Sequence, residues 1–193
     1  MMVITLLNKR FKDDYSRYDR LTDKGRVVED ICYTGDYYVL LLDSKQKSKA
    51  NVVNIAAVLV LIAIHVAAGL LNQDSSRTFW IVVPYIMAFL PLGYMFIGAV
   101  NFWGNPVKMQ RVQYETGVVR IKRSCIGSMV LIGIGAVLDI LYMILYHDTA
   151  NIGRELLYLL CHVLFLAAGV IYGKHYDRTY GGITIEPSQH KAQ

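Results

Sequence analysis

Charge is in short supply in this chain: Lys, Arg, Asp and Glu make up 18% of its 193 residues, while 54% are apolar. About a quarter charged is ordinary for a soluble domain, and the shortfall leaves too little polar covering to enclose several apolar helices in water. Cysteine is rarer still, at three residues. Cys32 is expected in the cytoplasm, Cys125 near the inner membrane boundary and Cys161 within a span. None falls in an external loop, which argues against a framework of disulfides. Local chemical signatures are missing too. TGDYY at 34–38 is not followed by the Lys-Ser/Thr of a phosphate-binding loop, no HExxH occurs, and neither a nucleophilic serine motif nor a paired-carboxylate motif marks an enzyme. The stretch MMVITLLNKRFKDDYSRYD does not show the basic region, long apolar core and small-residue cleavage site of a secretory signal. The first apolar segment is therefore expected to insert the chain and to stay.

What the chain does have is four apolar blocks, at approximately 50–71, 79–100, 125–146 and 155–173. Each approaches the roughly 20 residues that carry a helix across about 30 Å of hydrocarbon. The first, ANVVNIAAVLVLIAIHVAAGLL, contains no Asp, Glu, Lys or Arg. This predicts an all-α integral membrane protein, with four transmembrane helices and a small mixed or interfacial cytoplasmic region. Three parts follow: a cytoplasmic amphipathic and hairpin region at 1–49, a transmembrane domain at 50–173 with a cytoplasmic loop at 101–124, and a cytoplasmic tail at 174–193.

Basic residues set the orientation. A dense run of Lys and Arg from Lys9 to Lys49 precedes the first span, whereas NQDSSRT after it has only Arg77. Lys108, Arg111, Arg120, Lys122 and Arg123 fill the central loop, HDTANIG has no Lys or Arg, and Lys174 and Arg178 follow the last span. The alternation places both termini and the central loop on the cytoplasmic side of a bacterial inner membrane or plasma membrane. The net charge of +5 then reflects orientation and contact with membrane lipids rather than nucleic acid.

The cytoplasmic pieces have their own patterns. Leu7, Phe11, Tyr15, Tyr18 and Leu21 recur every three or four residues and predict an amphipathic helix along the membrane surface. RVVEDICY and YYVLLLD flank TGD and read as a hairpin. In VKMQRVQYETGVVRIKRS, ETG reads as a turn between short extended pieces. Phe102 and Trp103 read as an interfacial aromatic anchor, and Pro91 as a bend in span two. Ala63 with Ala67, and Gly169 with Gly173, offer close-approach faces.

Asp139, in GIGAVLDILYMILY, is the charge most out of place, because a carboxylate within a span needs a partner, water or a proton. Depth supplies candidates. His65, Tyr85, Asp139 and His162 lie six or seven residues inward from the outer ends of their blocks, roughly 10 Å at the helical rise. If their faces turn inward they form one layer able to relay a proton or bind a ligand. Tyr142 and Tyr158 stand three and four residues from Asp139 and His162, within reach along the same helices. Two imidazoles and a carboxylate also suit Zn or another divalent metal. Each would come from a different span with no local spacing motif, so no cofactor is predicted and a metal stays the alternative. The functional expectation is a transport-related subunit, working as a homo-oligomer or with a larger membrane-protein partner. The alternatives are a structural or regulatory membrane-complex subunit, or an integral-membrane enzyme acting on a lipid or small molecule.

Overall fold

Four helices carry the architecture: α1 Ser44–Gly69, α2 Phe79–Gly104, α3 Arg111–Leu145 and α4 Ile152–Tyr180, each long and apolar enough to cross a membrane. The structure, a computed structural model, describes residues 9–21, 26–148 and 150–188. The helices outrun their apolar blocks, α3 most of all, since it begins at Arg111 within the expected central loop. α1 starts at Ser44 because Asp43 and Gln46 form a capping box, the Gln46 N–H donating to Asp43 Oδ1 at 2.7 Å and the Asp43 N–H to Gln46 Oε1 at 3.0 Å. α4 continues past Gly173 to Tyr180 rather than dissolving into a tail.

The helices pack in a ring that follows chain order, α1 against α2, α2 against α3, α3 against α4 and α4 back against α1. Val58, Leu61, Leu92, Met95, Ile132 and Phe165 fill its centre. The outward faces are apolar, with Leu59, Ile86, Leu90, Ile97, Val137 and Leu160 exposed, while Asn54, His65, Ser128, Asp139, Glu155 and His162 are buried. A protein folded in water distributes these residues the other way round. Hydrocarbon is the solvent that suits this surface, and the chain is a multi-pass membrane protein.

The α1–α2 and α3–α4 connections lie together at one end of the bundle, here called the turn end. The N-terminal strands, the α2–α3 connection and the segment after α4 gather at the other, the sheet end. There β1 (Tyr15–Leu21) pairs antiparallel with β2 (Val27–Tyr33), and β3 (Tyr37–Val39) lies between β4 (Lys108–Gln110) and β5 (Thr184–Glu186). The expected amphipathic helix is therefore a short 3₁₀ turn at Lys9–Asp14 followed by a strand, and Leu7 lies outside the described residues. Cross-strand pairing decides this, with Arg17 bonded to Glu29 at 3.1 Å and Arg20 near Asp30 at 3.8 Å. Likewise β2 and β3 do not pair with each other; a turn at Thr34 and Gly35 sends each to a different partner.

ETG is not a turn. Glu115–Val119 is a π-helical widening near the start of α3. Widening leaves backbone carbonyls to be satisfied from outside the ladder. Asn105 Nδ2 donates to the Gln113 carbonyl at 3.0 Å, Asn101 Nδ2 to Thr116 at 3.4 Å and the Tyr176 hydroxyl to Val118 at 2.8 Å. The same end corrects the aromatic anchor. Phe102 is wholly buried, edge-on to Tyr180 at 5.3 Å, whereas Trp103 is 54% exposed. Ala63 and Ala67 face outward, so α1 does not use them inside the bundle. Pro91 is half-buried beside Gly127 and turns toward α3.

Candidate functional site

The two connections at the turn end are tied to each other. Asn72, with φ of 48°, turns the chain out of α1, a conformation Asn tolerates. Asp74 accepts from the Asn151 N–H at 2.9 Å, and Arg154 donates to the Asn72 carbonyl at 3.3 Å. Asn151 caps α4 by accepting from the Arg154 N–H. These bonds seat the first turn of α4 beneath the α1–α2 connection and carry Glu155 inward, where its Oε1 accepts from the Ser75 N–H at 3.0 Å.

Glu155 meets Asp139 there. Both are 0% exposed, and the Asp139 carboxyl lies within hydrogen-bonding reach of Glu155 and beside Ser75. Written as carboxylates, neither acid can donate to the other. Both oxygens of Asp139, Oε2 of Glu155, Ser75 Oγ and Gln73 Oε1 are then buried, and the Ser75 hydroxyl beside Asp139 can serve only one of these oxygens as donor. Two like charges in contact and away from water are strongly disfavoured. A proton held between the carboxyls removes one charge and supplies the missing donor.

Of the four residues read from depth, direct hydrogen bonds join His65 to Tyr85, while His162 bonds within its own helix and lies near His65. His65 and Tyr85 clasp α1 to α2: His65 Nε2 bonds the Tyr85 carbonyl at 3.1 Å, the Tyr85 hydroxyl donates to the His65 carbonyl at 3.3 Å, and the rings lie 4.3 Å apart. Because a carbonyl only accepts, Nε2 carries the hydrogen. Gly69 leaves the space for the Tyr85 hydroxyl, which a Cβ there would overlap. His162 bonds the carbonyl of Tyr158, one turn back on its own helix, through Nδ1 at 2.9 Å. Its Nε2 faces α3 at Gly135, 3.2 Å from where a Cβ would stand and one turn from Asp139.

Tyr158 joins the groups. It is almost fully buried, lies near Asp139, Glu155 and Tyr85, and packs edge-on against His162 at 4.3 Å. It also lines a pocket of about 180 Å³ with Gly69, Gln73, Ser76 and Tyr85. The arrangement is thus an acid pair between α3 and α4, with a tyrosine leading from it toward a pocket at the turn end. Among the described residues no group of three His, Cys, Asp or Glu side chains is gathered closely enough to hold a metal ion.

Glu155 is the participant that sequence reading missed. It stood at the boundary of the fourth block, where a charge is unremarkable. Its signal was the spacing Glu155, Tyr158, His162, which places an acid on the same helical face as two residues already singled out. Comparison with protein-family models, with curated proteins and with solved structures gives no match for this chain.

Proposed function

We propose that this protein is a transport-related membrane subunit whose Asp139–Glu155 pair takes up and releases a proton near one face of the bilayer. The observation that carries the reading is the burial of two carboxyl groups against each other, where the Ser75 N–H and hydroxyl are too few donors to satisfy both as carboxylates. A bundle that needed only structural polarity would be served better by an amide, since an unpaired buried acid is costly. Tyr158 and the adjoining pocket supply the direction in which a proton leaves. The basic residues at the sheet end support an orientation with that end in the cytoplasm of a bacterial inner membrane or plasma membrane and the acid pair toward the outer face. Four helices enclose little volume, so the pathway is completed by further copies or by a larger helical partner.

The privately paired clasps favour a second reading, a structural subunit of a membrane complex. His65 with Tyr85, and Asn54 with Tyr172 and Tyr180 at 2.8 Å each, are satisfied within the bundle. One experiment separates the two. The full chain is reconstituted in vesicles carrying an internal pH dye, with assembly followed separately by size-exclusion chromatography. The proton reading predicts that Asp139→Asn and Glu155→Gln each slow proton movement about tenfold, near 1.4 kcal/mol in barrier, with assembly intact. Equal proton movement in all three proteins refutes it, and loss of assembly together with flux assigns the pair to structure.

A further inference from the structure

A groove at the opposite end of the bundle is independent of the acid pair. Two cavities between α3 and α4, of about 410 Å³ and about 180 Å³, share Lys122, Ile126, Tyr176 and Asp177 and so run into each other. The larger opens among Tyr114, Arg123 and Tyr180 at the sheet end, and the smaller continues past Met129, Gly169 and Gly173 into the apolar part of the bundle. From Tyr180 to Gly169 this is about 16 Å of helix at the usual rise. One end is cationic and polar, the other apolar.

The charges narrow the occupant. Lys122 is already engaged, donating to Asp177 at 2.8 Å with its ammonium 5.6 Å from the centre of the Tyr176 ring. Arg123 is exposed beside it and has no ion-pair partner among the described residues. One uncompensated guanidinium at the head of an apolar slot matches one phosphodiester, whose oxygens it can bind in a fork. The slot itself lies on a lipid-facing surface. Gly173 contributes open space, because a Cβ built there meets nothing within 4 Å.

We propose that this groove is a binding site for one anionic phospholipid, its phosphate on Arg123 and an acyl chain along Met129 and Gly173. Lys122 and Tyr114 flank the headgroup. Placed on the cytoplasmic leaflet by the proposed orientation, the site faces the membrane surface where anionic lipids concentrate. Occupancy would brace α3 against α4 below the π-turn, at the helix pair that also carries Asp139 and Glu155.

The test is a lipid titration of the purified full chain by native mass spectrometry. The probes are phosphatidylglycerol, phosphatidylcholine with the same acyl chains, and inorganic phosphate as competitor. The expected result is one retained phosphatidylglycerol, bound about tenfold more tightly than phosphatidylcholine, a preference of about 1.4 kcal/mol. Arg123→Ala should abolish the preference, and Gly173→Leu should weaken both lipids by filling the slot. Arg123 is exposed and Gly173 borders open space, so both variants should keep the fold; the comparison of the two lipids on the unaltered chain needs no variant. Equal binding of the two lipids overturns the proposal. So does full displacement by inorganic phosphate, which would make this a site for a free anion, and so does a Gly173→Leu protein that holds lipid as before.

Discussion

At the scale of single residues, the acid pair makes a distinction that ordinary packing would not. Glu155→Gln keeps an oxygen for the Ser75 N–H and adds an amide donor aimed at Asp139. Thermal unfolding in detergent should therefore find it at least as stable as the wild type. Glu155→Ala strands the Ser75 N–H and leaves the Asp139 carboxyl alone, at a cost of about 1–3 kcal/mol. A Gln variant as unstable as the Ala variant would contradict the pairing. Asp139 was legible in the sequence because no charge belongs in the middle of an apolar run. His65 and Tyr85 were legible as members of a layer of four at similar depth, but not as a pair. Glu155 was not, because depth measured from the ends of the blocks treats the first residue of a span as interfacial. The Asn151 cap and the α1–α2 turn draw that residue inward, and both are contacts between segments distant in sequence.

At the scale of elements, the joint between the strands and α3 turns on Tyr33. Its hydroxyl donates to the Asp36 carbonyl at 2.7 Å and accepts from the Arg111 N–H at 3.0 Å, and its ring is edge-on to Tyr15 and Tyr37. Burial pushes this phenol from 10.0 up to about 12, with the Arg111 N–H opposing the rise. The neutral form is the one the fold favours. Its contribution is complete below pH 10.0 and is lost as pH climbs to about 12. Alkaline titration followed by tyrosinate absorbance and circular dichroism should show strand loss in that window. Tyr33→Phe should lose about 1–3 kcal/mol already at neutral pH, since two backbone groups lose their partner, and it should have a flatter alkaline limb. An alkaline limb unchanged by Tyr33→Phe would contradict this assignment.

The four spans could be read from the sequence because lipid imposes a length and an apolar composition on each of them separately. The strands could not. Residues 15–21 satisfy a helical spacing as well as an extended one, and the strand is held by antiparallel pairing with 27–33, to which the exposed Arg17–Glu29 and Arg20–Asp30 contacts add little. The central loop was misjudged for a related reason. The π-turn at Glu115–Val119 depends on Asn101, Asn105 and Tyr176, which accept the task of satisfying its carbonyls from two other helices.

At the scale of the whole molecule, the bundle is apolar outside and polar inside, and its polar interior divides into two kinds. Most of it is closed: His65 with Tyr85, and Asn54 with Tyr172 and Tyr180, satisfy one another and hold the helices in register. The Asp139–Glu155 pair places acid against acid, and it stands beside a pocket rather than in the bundle's centre. A carboxyl pair that shares a proton can change charge, which is what the proposed proton site requires. Infrared spectroscopy of the full chain in lipid discs, compared in H₂O and D₂O, tests this most directly. The account predicts one protonated carboxyl band at neutral pH in the wild type, shifted in D₂O and lost when Asp139→Asn and Glu155→Gln are combined. A wild-type spectrum without that band, or a band that survives both substitutions, would contradict it.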